Sequence, residues 1–198
     1  MPRPLPPLAL TVLRLLHEEP LHPYEMQQRI KQRAYDRAVK VTHGALYHAV
    51  ERLAENGLIE PIETGREGRR PERTVYAITK AGRDAARMRM TELLAEPVEE
   101  FPPFGTALAF IDLLPEDEAA RYLRHRQTAL EAMLAAEQTV YDTLTRRGLQ
   151  RHKLVDHELT LARHRAELDL VRRLADDLEA GDLGWTAPGG ADENGDPA

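Results

Sequence analysis

Residues 42–59, Thr-His-Gly-Ala-Leu-Tyr-His-Ala-Val-Glu-Arg-Leu-Ala-Glu-Asn-Gly-Leu-Ile, constrain the fold more than any other stretch of the chain. Leu46, Ala49, Val50 and Leu53 recur at i, i+3, i+4 and i+7, the apolar stripe of a helix with one buried face. His43, Tyr47, His48, Glu51, Arg52 and Glu55 fall off that stripe and face outward. Thr42 suits the N-cap, and Asn56-Gly57 suits the stop. Two short strands are expected next, residues 58–63 and 74–79, with a turn-rich basic loop, residues 64–73, between them. A helix followed by a strand, a basic hairpin loop and a second strand is the order of a winged helix-turn-helix.

The preceding residues supply the other parts of that fold. Pro7 can open a helix, with Leu8, Val12, Leu13, Leu15 and Leu16 as its apolar flank, and Pro23 can open a second that runs through Tyr24, Met26 and Ile30 to about Arg37. A brief link, residues 38–41, joins it to the helix after Thr42, which would then enter a DNA major groove. Thr79 can cap a fourth helix ending near Glu96.

The Pro97 and Phe101-Pro-Pro-Phe104 break suggests a domain boundary between residues 96 and 97. Residues 105–114 are nearly all apolar and read as a short buried helix. Two long amphipathic helices are then expected. One follows Pro115, with Leu123, Leu130 and Leu144 at multiples of seven; the other spans about 151–179, with Leu154, Leu161, Leu168 and Ala175. Two such helices joined by a short turn cannot cover both stripes alone, which predicts that a second copy of the chain completes them. The expected architecture is mainly α: a three-helix, two-stranded winged helix-turn-helix (1–96), a helical dimerisation domain (97–186) and a disordered tail (187–198).

Charge follows the same division. Residues 1–96 hold 16 Lys/Arg against 13 Asp/Glu, a net +3, whereas residues 97–198 hold 11 against 20, a net −9. The chain total of −6 therefore does not exclude DNA, because phosphates meet a local patch. With no cysteine and no serine, disulfides, thiolate and serine nucleophiles and cysteine-based zinc sites are all excluded. No cofactor motif occurs, and no spacing assembles a nucleophile, base and orienting group, so an enzyme is not expected. His157 and His164 lie two helical turns apart, too far to hold one metal within a chain. The absence of a membrane-length apolar run, and too short an apolar segment before His17 for a signal peptide, make cytoplasmic the expected location.

Four motifs then carry a resemblance: Leu21-His-Pro-Tyr-Glu-Met26, Thr42-x-Gly-x-Leu-Tyr47, Leu53-x-x-x-Gly-Leu-Ile59 and Tyr76-x-Ile-Thr-Lys-Ala-Gly82. Together they resemble the PadR family of bacterial transcriptional regulators. Phe110-Ile-Asp-Leu-Leu-Pro115 before the long helical pair is similar to the dimerisation region of the longer members. Pro23 stands where family members commonly have glycine. The resemblance implies a homodimer on a palindromic operator in double-stranded DNA, usually as a repressor, released in some members by a small effector. A winged helix used only for protein–protein contact is the alternative.

Candidate DNA contacts follow from position and chemistry. The Thr42 hydroxyl and the first N–H groups of its helix suit a phosphate oxygen, or serve only as the helix's own cap. Tyr47 matches the family tyrosine, and its hydroxyl is expected to reach DNA; packing on the second helix is the alternative. His43 and His48 can meet phosphates or base edges, or stand solvated. Arg66, Arg69, Arg70 and Arg73 place four guanidinium groups on the predicted wing, partly offset by Glu67 and Glu72, and Lys40 is a further phosphate candidate. The helix offers no exposed Arg, Asn or Gln in its first two turns for reading G or A, which points to groove shape as a source of specificity. Trp185 is read as an anchor for the last helix, with an effector pocket between subunits as the other reading.

Overall fold

The computed structural model describes residues 4–65 and 73–185. The expected disordered tail, residues 187–198, lies outside them. The chain divides into two compact units, Met1–Glu99 and Glu100–Ala198.

In the first unit, α1 (Pro7–Leu16), α2 (Pro23–Gln32), α3 (His43–Glu55) and α4 (Lys80–Ala95) surround a core of Val12, Leu13, Leu15, Met26, Ile30, Leu46, Val50 and Leu53, each at most 2% exposed. Two strands close it, β1 (Ile59–Gly65) and β2 (Arg73–Ile78), paired antiparallel from Ile59↔Ile78 to Gly65↔Arg73 with a shift between Pro61 and Glu63. Pro61 lacks an N–H to donate, so its place is an irregular edge. The other edge of β2 is satisfied by Leu21, which exchanges both backbone hydrogen bonds with Tyr76 at 3.1 Å. Helices α1 to α3 and the two-stranded wing thus share one apolar centre, as the sequence pattern predicts, and α4 packs against it through Ala86.

The end of α2 differs from expectation. The helix stops at Gln32 instead of continuing to Arg37; Ala34 takes a left-handed conformation (φ 54°) and a short 3-10 turn covers Tyr35–Arg37. Residues 32–37 contain no Gly or Pro to mark this. The stop comes from tertiary contacts instead: Tyr35 packs against the core, and Arg33 bonds Glu18 at 2.8 Å. The Arg33 guanidinium, ahead of the neighbouring Arg14, holds the Glu18 carboxyl below the usual carboxylate range.

In the second unit, α5 (Pro103–Ala109) is followed by a 3-10 turn (Ile111–Leu113), α6 (Glu116–Arg146), a second turn (Arg151–Lys153) and α7 (Val155–Ala180). The predicted buried helix at 105–114 is corrected here. It is two short pieces with no buried residue, and Phe110 and Leu113 are 59% and 74% exposed. Seven helical residues cannot wrap a side; only Phe104 and Ile111 reach the core, Phe104 lying under the Arg126 guanidinium at 3.7 Å. α6 and α7 run antiparallel and bury Leu123, Leu130, Leu161, Leu168, Val171 and Ala175 between them. Met133, Val140, Val155 and Leu159 of the same helices remain exposed.

Charged pairs run along this helical pair. Arg124 meets Asp176 and Glu179, both at 2.6 Å, Glu131 meets Arg172 at 2.8 Å, and Glu158 accepts from Tyr141 at 3.1 Å and from Arg151 at 2.9 Å. These partners lower the carboxyls of Glu179 (Arg124), Glu131 (Gln127, then Arg172) and Glu158 (Arg151). A carboxyl that titrates lower folded than unfolded stabilises fully above the ordinary carboxylate range and loses that contribution as pH falls through it and below. Thermal unfolding of the whole chain is therefore expected to shift downward as pH is lowered from neutral into the acid range. A melting temperature flat down to the ordinary carboxylate range and beyond would contradict it.

Candidate nucleic-acid interface

α3 is fixed from inside and offered from outside. Leu46, Val50 and Leu53 lock one face into the core, while His43, Gly44, His48, Glu51 and Arg52 are exposed and Tyr47 is half-buried. Thr42 Oγ1 accepts from the Ala45 N–H at 3.2 Å, so its hydroxyl acts as the helix cap. The N–H groups of His43 and Gly44 precede the helical ladder and have no acceptor within the helix. A Cβ built on Gly44 meets nothing within 4 Å, so packing does not require glycine there.

The aromatic side chains form a small cluster at this end. The rings of His43 and Tyr47 lie 4.5 Å apart, tilted at 45°, and His43 Nδ1 is 3.2 Å from Oε1 of Gln27 on α2. His48 Nδ1 stands 3.5 Å from Glu51 on the next turn. Lys40 is exposed in the link before α3. Arg73 begins β2; Arg66, Arg69 and Arg70 lie outside the described residues. Gln27 was not legible as part of this group, because nothing in the sequence relates positions 27 and 43. The structure brings together His43, Tyr47 and the cap Thr42 with Gln27, and places His48 one turn further along.

The capped start of α2 supports this geometry. Pro23 is buried in the first turn, His22 Nδ1 accepts from Tyr24 N–H at 3.1 Å, and the Glu25 carboxylate accepts from His22 N–H at 3.0 Å. The two helices and their link make a helix-turn-helix, and β1 and β2 make its wing. The first unit also carries an open apolar groove of about 690 Å³ between α1 and α4, walled by Leu13, Val39 and Met90 and rimmed by Arg14, Arg83 and Arg87.

These features define a winged helix-turn-helix protein with a helical second unit. Residues 12–88 match the model of the transcriptional regulator PadR-like family. The chain has the fold of Bacillus subtilis PadR in complex with operator DNA: TM-score 0.70, 20% identity, 86% of this chain and 98% of that one. Bacillus subtilis PadR in complex with p-coumaric acid matches at TM-score 0.68 and 19% identity, over 88% and 99%. The Vibrio cholerae virulence activator AphA matches at TM-score 0.67 and 18% identity, over 88% and 99%. No curated protein matches the chain by sequence. Among the described residues no helix is long and apolar enough to cross a membrane.

Proposed function

We propose that this chain is a sequence-specific DNA-binding transcription regulator that acts as a homodimer on a palindromic site. The observation that carries the reading is α3: a helix anchored by three fully buried aliphatics whose first turn presents exposed polar side chains and unsatisfied N–H groups. That is the arrangement by which a helix-turn-helix protein meets a major groove. Residues 1–96 bind DNA through Thr42, His43, Tyr47 and His48, with Lys40 and the wing arginines Arg66, Arg69, Arg70 and Arg73 on phosphates. Residues 97–186 dimerise, covering the apolar side chains left exposed along α6 and α7, among them Met133, Val140 and Leu159. In such a dimer the two recognition helices sit about 34 Å apart, one turn of B-DNA.

Repression is the usual outcome the resemblance implies, though a protein of the same fold is a virulence activator. Release by a small molecule is supported by the complex of Bacillus subtilis PadR with p-coumaric acid and by the α1–α4 groove, which has the volume of an ordinary ligand pocket.

The test is selection of bound fragments from genomic DNA, followed by titration of the best fragment at several salt concentrations. A palindrome is expected, with affinity falling steeply as salt rises. Replacing Arg66, Arg69, Arg70 and Arg73 by Gln should flatten the dependence by about 0.9 in log–log slope for each phosphate that is no longer neutralised. No enriched fragment, or binding indifferent to salt, would refute the reading in favour of a winged helix that contacts only protein. A monomer in light scattering at micromolar concentration would refute the dimer.

A further inference from the structure

Base readout is the step that the recognition helix leaves unexplained, since its first two turns carry no exposed Arg, Asn or Gln. The cluster at the start of α3 supplies an answer. His43 is the first residue of the helix and exposed, at the end of α3 that a helix-turn-helix directs at base edges. Its ring is held on two sides, by Tyr47 at 4.5 Å and by Gln27 Oε1 at 3.2 Å from Nδ1. An amide oxygen can only accept, so the neutral ring must carry its proton on Nδ1 to make this bond. Nε2 is left with a lone pair.

We infer that Gln27 is a positioning residue that fixes the tautomer of His43, so that Nε2 reads an exocyclic amino group in the major groove. The inference rests on the DNA-binding reading above. The chemistry is selective. A lone pair cannot engage a phosphate oxygen, guanine O6 or N7, or thymine O4, all of which are acceptors. It can accept from adenine N6 or cytosine N4, the two amino groups displayed in that groove. Gln27 lies on α2, whose buried Met26 and Ile30 hold it in the core, so the device links the two helices and does not depend on a flexible loop. His48 has no such fixed partner on α2; its neighbour is Glu51 of its own helix.

Two measurements test this. Nitrogen-15 NMR of the full-length free protein, at a pH of about 8.5 where an ordinary imidazole is neutral, should show His43 protonated on Nδ1. Gln27→Glu, whose carboxylate also only accepts, should keep that tautomer, and Gln27→Leu should release it. Selection from a randomised duplex pool should give the wild type a preference for adenine or cytosine at one position in each half-site. Gln27→Leu and His43→Ala should each lose about tenfold of that discrimination, and the double variant no more than either. A wild-type His43 protonated on Nε2, or a Gln27→Leu variant with the wild-type base preference, overturns the inference. A wild type that enriches no sequence refutes the DNA reading itself, and the NMR result then decides the Gln27–His43 pairing alone.

Discussion

Gly82→Ala is expected to lower the stability of the first unit by about 3 kcal/mol or more, although alanine is the better helix former. A Cβ at position 82 would lie 2.0 Å from the backbone oxygen of Leu58 and 3.0 Å from the Ile78 side chain. That carbonyl cannot swing aside, because it accepts from Thr79 N–H at 3.1 Å and from Thr79 Oγ1 at 3.0 Å. Thr79 Oγ1 in turn accepts from Gly82 N–H at 3.0 Å and also lies 2.8 Å from Gly57 O. One threonine thus ties the end of α3, the start of β1 and the first turn of α4 into a knot that only glycine fits. Three kcal/mol corresponds to a fall on the order of 15 °C in melting temperature for a unit of this size. Gly44 is the internal control. Nothing stands within 4 Å of a Cβ there, so Gly44→Ala should leave the melting temperature unchanged or slightly raised. If the bare backbone of Gly44 is where DNA approaches, the same variant should bind DNA more weakly. A Gly82→Ala protein that melts within a few degrees of wild type would show that Leu58 and α4 can separate without loss.

This knot also shows how far the sequence carries. Thr79 and Gly82 stand out in the chain as a cap and a motif glycine, and α3 is marked at both ends by Thr42 and Gly57, so the order of helices and wing follows from local signals. The heptads of α6 and α7 are equally plain, because Leu123, Leu130, Leu161 and Leu168 repeat at fixed spacing. What fails is whatever depends on residues distant in the chain. α2 ends at Gln32 because Tyr35 and Glu18 have tertiary work to do, while its own composition favours continuing. Residues 105–114 are apolar enough to be buried, yet burial needs a partner surface, and the short helix and the 3-10 turn that cover them find one only at Phe104 and Ile111. Gln27 reaches His43 across sixteen positions with no periodic signal. The apolar stripes were legible; the charged residue buried among them was not.

That residue is Glu137, 6% exposed on α6, and its partnership with His157 of α7 leads to the second large effect. Both side chains are about nine-tenths removed from solvent, and His157 Nδ1 meets a Glu137 carboxylate oxygen directly. Burying a carboxylate is tolerable only with a partner that balances it, so removing one side of such a pair costs more than removing both. The two members are not equivalent. A buried imidazole that loses its partner forfeits one hydrogen bond, whereas a buried carboxyl that loses one must either hold an unbalanced charge or take up a proton, and both are unfavourable. His157→Leu is therefore expected to destabilise the helical pair more than Glu137→Leu does, by about 1 kcal/mol or more, with the double Leu variant closer to wild type than His157→Leu. Denaturant unfolding of the four proteins at neutral pH reads all of this as one cycle. Equal losses from the two single variants, or a double variant as unstable as their sum, would mean that the pair is not what α6 and α7 depend on at this level. The expected asymmetry has a further consequence for the dimer. Val140 and Leu159 lie within a turn of Glu137 and His157 and are exposed, so a change in how the pair joins the helices would alter the surface on which the proposed second copy rests. His157→Leu should then weaken dimerisation as well as folding, and the double variant should restore both.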